Sequence, residues 1–130
     1  MTTQLIGVDV GGTKIAVASL RGTTLVDGPR LPPTAATGEA ALIDQIVAAV
    51  EAVRGPDAAA VGVGVPSVVD FATGTVKSSV NVELSDVPLK AILRERLGLP
   101  VFVDNDATLA ALAEAHEDGR MVVRDLVLFT

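Results

Sequence analysis

Leu5-Ile6-Gly7-Val8-Asp9-Val10-Gly11-Gly12-Thr13-Lys14-Ile15-Ala16-Val17-Ala18-Ser19-Leu20 decides the fold. Two apolar, β-branched runs, Leu5 to Val10 and Ile15 to Leu20, read as strands. A Gly-Gly-Thr turn joins them. A strand after the glycine turn, rather than a helix, excludes a Rossmann fingerprint, and Gly7, Gly11 and Gly12 have the wrong spacing for one. The G-x-x-x-x-G-K-[ST] spacing of a P-loop is missing too. Arg21-Gly22 signals another hairpin, and Thr24-Leu25-Val26 begins a third strand. The opening is therefore an antiparallel meander.

Downstream the pattern changes. Pro29, Pro32 and Pro33 bar a helix in the loop from Gly28 to Gly38. Glu39 to Arg54 follows as a helix with Leu42, Ile43, Ile46, Val47, Val50 and Val53 on one face, stopped by Gly55-Pro56. Ala59 to Val65 reads as a buried strand. Asp70 to Val76 is a hairpin with a Thr73-Gly74 tip. Val87 to Leu97 is a helix with Pro88 in its first turn and Gly98 as its C-cap. Val101 to Val103 is a strand, Thr108 to His116 a helix, and Asp125 to Thr130 the start of a further strand. A meander followed by strand-helix alternation predicts an α/β domain: a mixed sheet with helices on its faces.

Composition narrows the function. The chain has 130 residues, the size of one domain, and 49% of them are hydrophobic. Aromatics are 2%, which leaves almost nothing to stack on bases. A net charge of -6 argues against nucleic acid and against an anionic membrane surface. There is no cysteine, hence no thiolate metal site. No signal peptide is visible and no apolar run reaches the roughly 18 residues of a membrane span. The expected setting is the cytoplasm.

Two turns carry candidate chemistry. In Asp9-Val10-Gly11-Gly12-Thr13-Lys14, adjacent glycines let backbone N–H groups approach an anion. Thr13 adds a hydroxyl and Lys14 a charge, both suited to phosphate. Asp9 ends a buried strand, where it could hold hydrated Mg²⁺. An ordinary hairpin remains the competing reading of this turn. In Asp104-Asn105-Asp106, short polar residues lie where a strand meets a helix, the usual ligand crevice of α/β proteins. A carboxylate there could take a proton from an attacking hydroxyl. Helix capping competes, although one cap does not need three such residues. His116, the sole histidine, lies at a helix end where its charge suits the dipole, so it is not read as a ligand.

In order, Ile6 to Lys14, Val61-Gly62-Val63-Gly64-Val65-Pro66, Asp70 with Thr73-Gly74, Asn81, Pro88-Leu89, Leu97-Gly98 with Pro100-Val101, Asn105-Asp106-Ala107 and Ala113-Glu114 resemble the N-terminal lobe of ROK-family sugar kinases. The resemblance covers essentially the whole chain. It implies an actin-like ATPase, ribonuclease H-like lobe over residues 1–130, with the C-terminal lobe absent. It implies ATP-dependent phosphorylation of a hexose, glucose being the expected one, with ATP and Mg²⁺ as cofactors and no zinc ligands in this chain. Asp9, Gly11, Gly12, Thr13 and Lys14 match the first phosphate motif. Asp106 matches the catalytic base, Asn105 a sugar ligand, and Gly64, Pro66 and Ser67 the loop lining the sugar pocket, with Asn81 near it. Ser67 stands where the family often has glycine, and Glu83-Leu84-Ser85-Asp86 lacks a tryptophan common there. Both bear on which sugar is taken; a polyphosphate donor also stays open. A single lobe is half a cleft, so it is expected to be inactive alone and to associate through its exposed lobe-lobe face, as a homodimer or otherwise. The alternatives are a non-catalytic sugar- or phosphate-binding module, a ROK regulator lacking its DNA-binding domain, or another actin-like ATPase. The acidic charge favours the kinase branch over the regulators, and Asn105-Asp106 favours a sugar kinase over other actin-like ATPases.

Overall fold

The computed structural model describes residues 3–29, 38–79, 82 and 84–129. Nearly all of the 28–38 loop and Asn81 lie outside them. Three strands, β1 (Gln4–Val10), β2 (Ile15–Arg21) and β3 (Thr24–Asp27), form the meander. Helix α1 (Glu39–Val53) leads to β4 (Ala58–Val65), which pairs parallel with β1. A hairpin of β5 (Ser67–Asp70) and β6 (Thr75–Ser79) precedes α2 (Leu89–Leu97). Strand β7 (Val101–Asn105) pairs parallel with β4 and runs directly into α3 (Asp106–Glu114). The main sheet has the order β3-β2-β1-β4-β7, antiparallel on one side of β1 and parallel on the other. This is the mixed sheet the sequence predicts.

Period-2 alternation decides which face is core. Ile6, Val8 and Val10 of β1 are buried, while Leu5, Gly7 and Asp9 are exposed. Val61, Val63 and Val65 of β4 and Val101 and Val103 of β7 join the buried set. Leu42, Ile43, Ile46, Ala49 and Val50 of α1 and Leu89, Leu93 and Leu97 of α2 pack on it as one cluster. Gln4, 1% exposed, is tied at both ends: its Nε2 donates to Val53 O at 2.8 Å and its Oε1 accepts from Gly55 N at 2.7 Å. Among the described residues the second face carries α3, which has no buried residue.

Three expectations need correction. Helix α3 starts at Asp106, not Thr108, because Asn105 is the cap and its Oδ1 accepts from Thr108 N at 3.0 Å. It ends at Glu114. His116 lies in a two-residue strand β8 (His116–Glu117) paired with β9 (Arg120–Met121) across Asp118 and Gly119, both at positive φ. Asp-Gly is a strong hairpin signal, masked in the sequence by the Ala/Leu-rich run before it. Helix α2 begins at Leu89, with Pro88 as its cap, since the residue before proline is pushed to extended backbone. Val87 accordingly bridges to Val76. Finally, residues 125–129 form no strand. Val127 is 77% and Phe129 93% exposed. An apolar run makes a strand only where an edge pairs with it, and neither β3 nor β7 does.

Candidate functional site

The carboxyl ends of the three parallel strands meet at one end of the sheet. Asp9 on β1 is in register with Gly64 on β4, and Gly64 with Asp104 on β7. The crevice beyond such strand ends is where open α/β sheets bind ligands. Asp106, the next residue but one, opens α3.

Asp9 and Asp106 line the same cavity, of about 680 Å³, on the second face of the sheet. Its floor is small: Gly7, Ala16, Ala18, Gly62 and Gly64. Asp27, which the sequence reading did not pick out, is its third carboxylate. Partial burial pushes the Asp9 carboxyl above its ordinary value; the negative charge of Asp106 pushes the same way and Lys14 opposes both. Asp106 Oδ1 accepts from Ala107 N at 2.8 Å, which orients the carboxylate at the helix N-terminus.

The glycine turn closes tightly. Gly11 N donates to Lys14 O at 2.8 Å, and a Cβ at Gly11 would lie 2.8 Å from that same oxygen. Glycine is required there by the close approach of backbone. Gly12, Thr13 and Lys14 are exposed. None of the four lines the cavity, although Lys14 lies within electrostatic reach of Asp9.

The remaining predicted residues divide. Pro66, Ser67 and Asn105 line a second, polar cavity of about 470 Å³ with Ser78, Ser79, Asp104 and Thr108. Gly64 belongs to the first cavity instead. Asn105 uses both ends of its amide: besides the cap bond, Nδ2 donates to Ser67 O at 3.1 Å, tying the start of β5 to the start of α3. Ser67 Oγ is buried without a hydrogen-bond partner among the described residues, an arrangement that costs about 1–3 kcal/mol. Asn81 lies outside the described residues. No three His, Asp or Glu side chains among the described residues are placed so as to hold one metal ion together, and none of their helices is long and apolar enough to cross a membrane. The alternating small residues Gly7/Asp9, Ala16/Ala18 and Gly62/Gly64 were the sequence signal for the open floor. Ser78 and Ser79 carried none, since their place depends on how the β5-β6 hairpin folds back.

The sequence pattern of the ROK family matches residues 5–130. A glucokinase from Streptomyces coelicolor is 38% identical over 126 residues, 96% of this chain and 39% of that protein. An N-acetyl-D-glucosamine kinase from Salmonella typhimurium is 35% identical over 118 residues, 86% of this chain and 38% of that protein. The crystal structure of a ROK family glucokinase from Streptomyces griseus in complex with glucose and AMPPNP superposes with a TM-score of 0.79 at 37% identity. It covers 92% of this chain and 38% of that one. The chain thus spans about two fifths of the length of the proteins it matches.

Proposed function

Because the chain belongs to the ROK family, and its solved ROK sugar kinase neighbours have the actin-like ATPase fold, we propose that it supplies the phosphate-gripping and proton-accepting half of an ATP-dependent sugar kinase. One observation carries this reading: Asp9 and Asp106, nearly a hundred positions apart, face one cavity at the carboxyl ends of the parallel strands.

In this reading Asp106 accepts the proton of the sugar hydroxyl as its oxygen attacks the terminal phosphoryl group. Such a transition state is loose and the proton leaves late, so the accepting carboxylate needs position more than strength. The N–H groups at the tip of the turn, Gly12 and Thr13, and the Lys14 ammonium hold phosphate oxygens. The polar cavity at Pro66, Ser67 and Asn105 takes the sugar's other hydroxyls, and the orphan Ser67 Oγ has capacity for one of them. Mg²⁺ keeps most of its water and needs only one or two protein carboxylates, and Asp9, its charge disfavoured by Asp106, fits as a donor. The ion would neutralise charge on the transferring phosphoryl group. Relatives matching most of the chain include a glucokinase and an N-acetyl-D-glucosamine kinase by name, so the substrate proposed is a hexose, with glucose first.

Catalysis of this kind is positioning plus charge stabilisation in a closed cleft. Residues 1–130 supply one wall, so the chain alone should turn over little or no ATP. The test is nuclear magnetic resonance titration of the chain with glucose and, separately, with Mg²⁺ and AMPPNP. Glucose should shift the amides of Ser67, Asn105 and Asp106, and the nucleotide those of Gly11 to Lys14. Silence of both sets at saturating ligand removes the kinase reading. ATP turnover matching that of a complete kinase removes the half-site reading.

A further inference from the structure

Strand β4 carries two glycines on the open face of the sheet, and only one of them is crowded. A Cβ built at Gly62 meets no heavy atom within 4 Å. A Cβ built at Gly64 lies 3.3 Å from Leu109 Cδ1, 3.4 Å from Asp106 Cα and 3.6 Å from Asp106 Cβ. Neither glycine has positive φ, so neither is needed for its backbone conformation. Glycine inside a strand weakens it and usually marks a close approach by another element. At Gly64 that element is the first turn of α3.

The two neighbours differ in what they can yield. Leu109 presents the far end of a flexible side chain. Asp106 presents its backbone, and the residue before it is tied down by hydrogen bonds. Asp104 Oδ1 accepts from Asn105 N at 2.8 Å. Asn105 caps Thr108 N and bonds Ser67 O. An added methyl at residue 64 would press first on Leu109 Cδ1, at 3.3 Å, and would lie against Asp106 at 3.4–3.6 Å, filling the space between the strand and the residue that carries the carboxylate.

We infer that Gly64 is a positioning residue: it is the seat on which Asp106 rests, and it fixes how deeply that carboxylate enters the cavity shared with Asp9. The geometry stands by itself; its purpose, alignment of a base, depends on the kinase reading above. The resemblance places Gly64 among the sugar-pocket residues, whereas here it lies beneath the base.

The test compares resonances in the 130-residue chain. In the unmodified protein the Gly64 α-protons should show cross-relaxation to the Asp106 α-proton, and its absence overturns the inference whether or not any variant folds. Gly64→Ala should shift the amides of Asp106, Ala107 and Thr108, while Gly62→Ala leaves them in place. Unmoved resonances in Gly64→Ala, or equal movement in both variants, overturns it. The double variant Gly64→Ala/Leu109→Ala decides which neighbour matters. Persisting shifts at Asp106 to Thr108 support a backbone seat; full restoration shows that Gly64 only makes room for Leu109 and overturns the inference. Glucose added to the unmodified chain separates the two proposals. Silence of Ser67, Asn105 and Asp106 under glucose and of Gly11 to Lys14 under Mg²⁺ and AMPPNP, with the Gly64 contact intact, sinks the kinase reading and leaves the seat in place.

Discussion

The two faces of the five-stranded sheet are made by the same strands and have opposite characters. One presents Ile6, Val8, Val10, Val61, Val63 and Val65 to α1 and α2. The other presents Gly7, Asp9, Gly62 and Gly64 to a half-open cavity under α3. Neighbouring residues along β1 and β4 serve cohesion and chemistry in turn. A register slip of one residue would bury Asp9 and expose Val8, so the packed face is what pins the site in place. The largest expected effect tests that division. Leu93→Ala, on a fully buried side chain of α2, should cost about 2–5 kcal/mol in urea unfolding. Gly62→Ala, with open space above it, should change stability by less than about 0.5 kcal/mol. Comparable losses from both would mean that the second face is as tightly packed as the first.

The contrast also explains what the sequence could and could not say. Long periodic segments such as β1, α1 and β4 were legible because an alternating or helical apolar pattern has one burial solution. Asp9 and Asp106 were each legible as polar residues ending apolar strands, and their common cavity followed from the parallel pairing of β1, β4 and β7. What failed depended on partners rather than pattern. Leu126 to Phe129 has strand composition, but composition does not provide an edge to pair with. His116 left the predicted helix because Asp118-Gly119 closes a hairpin that pairs it with Met121. Gly64 was legible as part of a buried strand, but no local feature of β4 says that α3 will cross above it at van der Waals distance.

A middle-sized effect belongs to the joint between the faces. Asn105 ends a strand whose Val101 and Val103 feed the core, and it caps the helix beside the first cavity. Asn105→Ala removes the bond to Thr108 N and the bond to Ser67 O. The loss should be about 1 kcal/mol, the usual worth of an N-cap, with faster amide exchange confined to the first turn of α3. Exchange that speeds up equally in α1 would show that the cap supports the whole fold and not the site face alone.

The smallest effect concerns two carboxylates, and here the faces differ in sign. Asp57, beside the start of β4, is held by a bidentate pair with Arg21 at 2.8 Å. That hydrogen bond, first among the causes, lowers its carboxyl from 3.8 to about 2. Asp57 therefore stabilises the fold above about 3.8, and that contribution is lost as pH falls toward about 2. Asp9 runs the other way. Its carboxyl is raised above 3.8 by burial first and by Asp106 second, so the folded state binds the proton more tightly than the unfolded one. Between 3.8 and the raised value the native state carries more protons, and stability falls as pH rises. Above both values the charged Asp9 is a standing cost; below both it has no effect. Asp9→Asn should accordingly stabilise the chain modestly at pH 7, because the group is partly open to water and screened, and the gain should fade in acid. Asp57→Asn should destabilise at pH 7 and lose its effect in acid. Urea midpoints for both variants and the parent, measured from pH 7 down to pH 2, read both curves. If Asp9→Asn destabilises at neutral pH, the site face is not carrying electrostatic cost. Asp9 would then belong with Asp57 among the residues that hold the fold together.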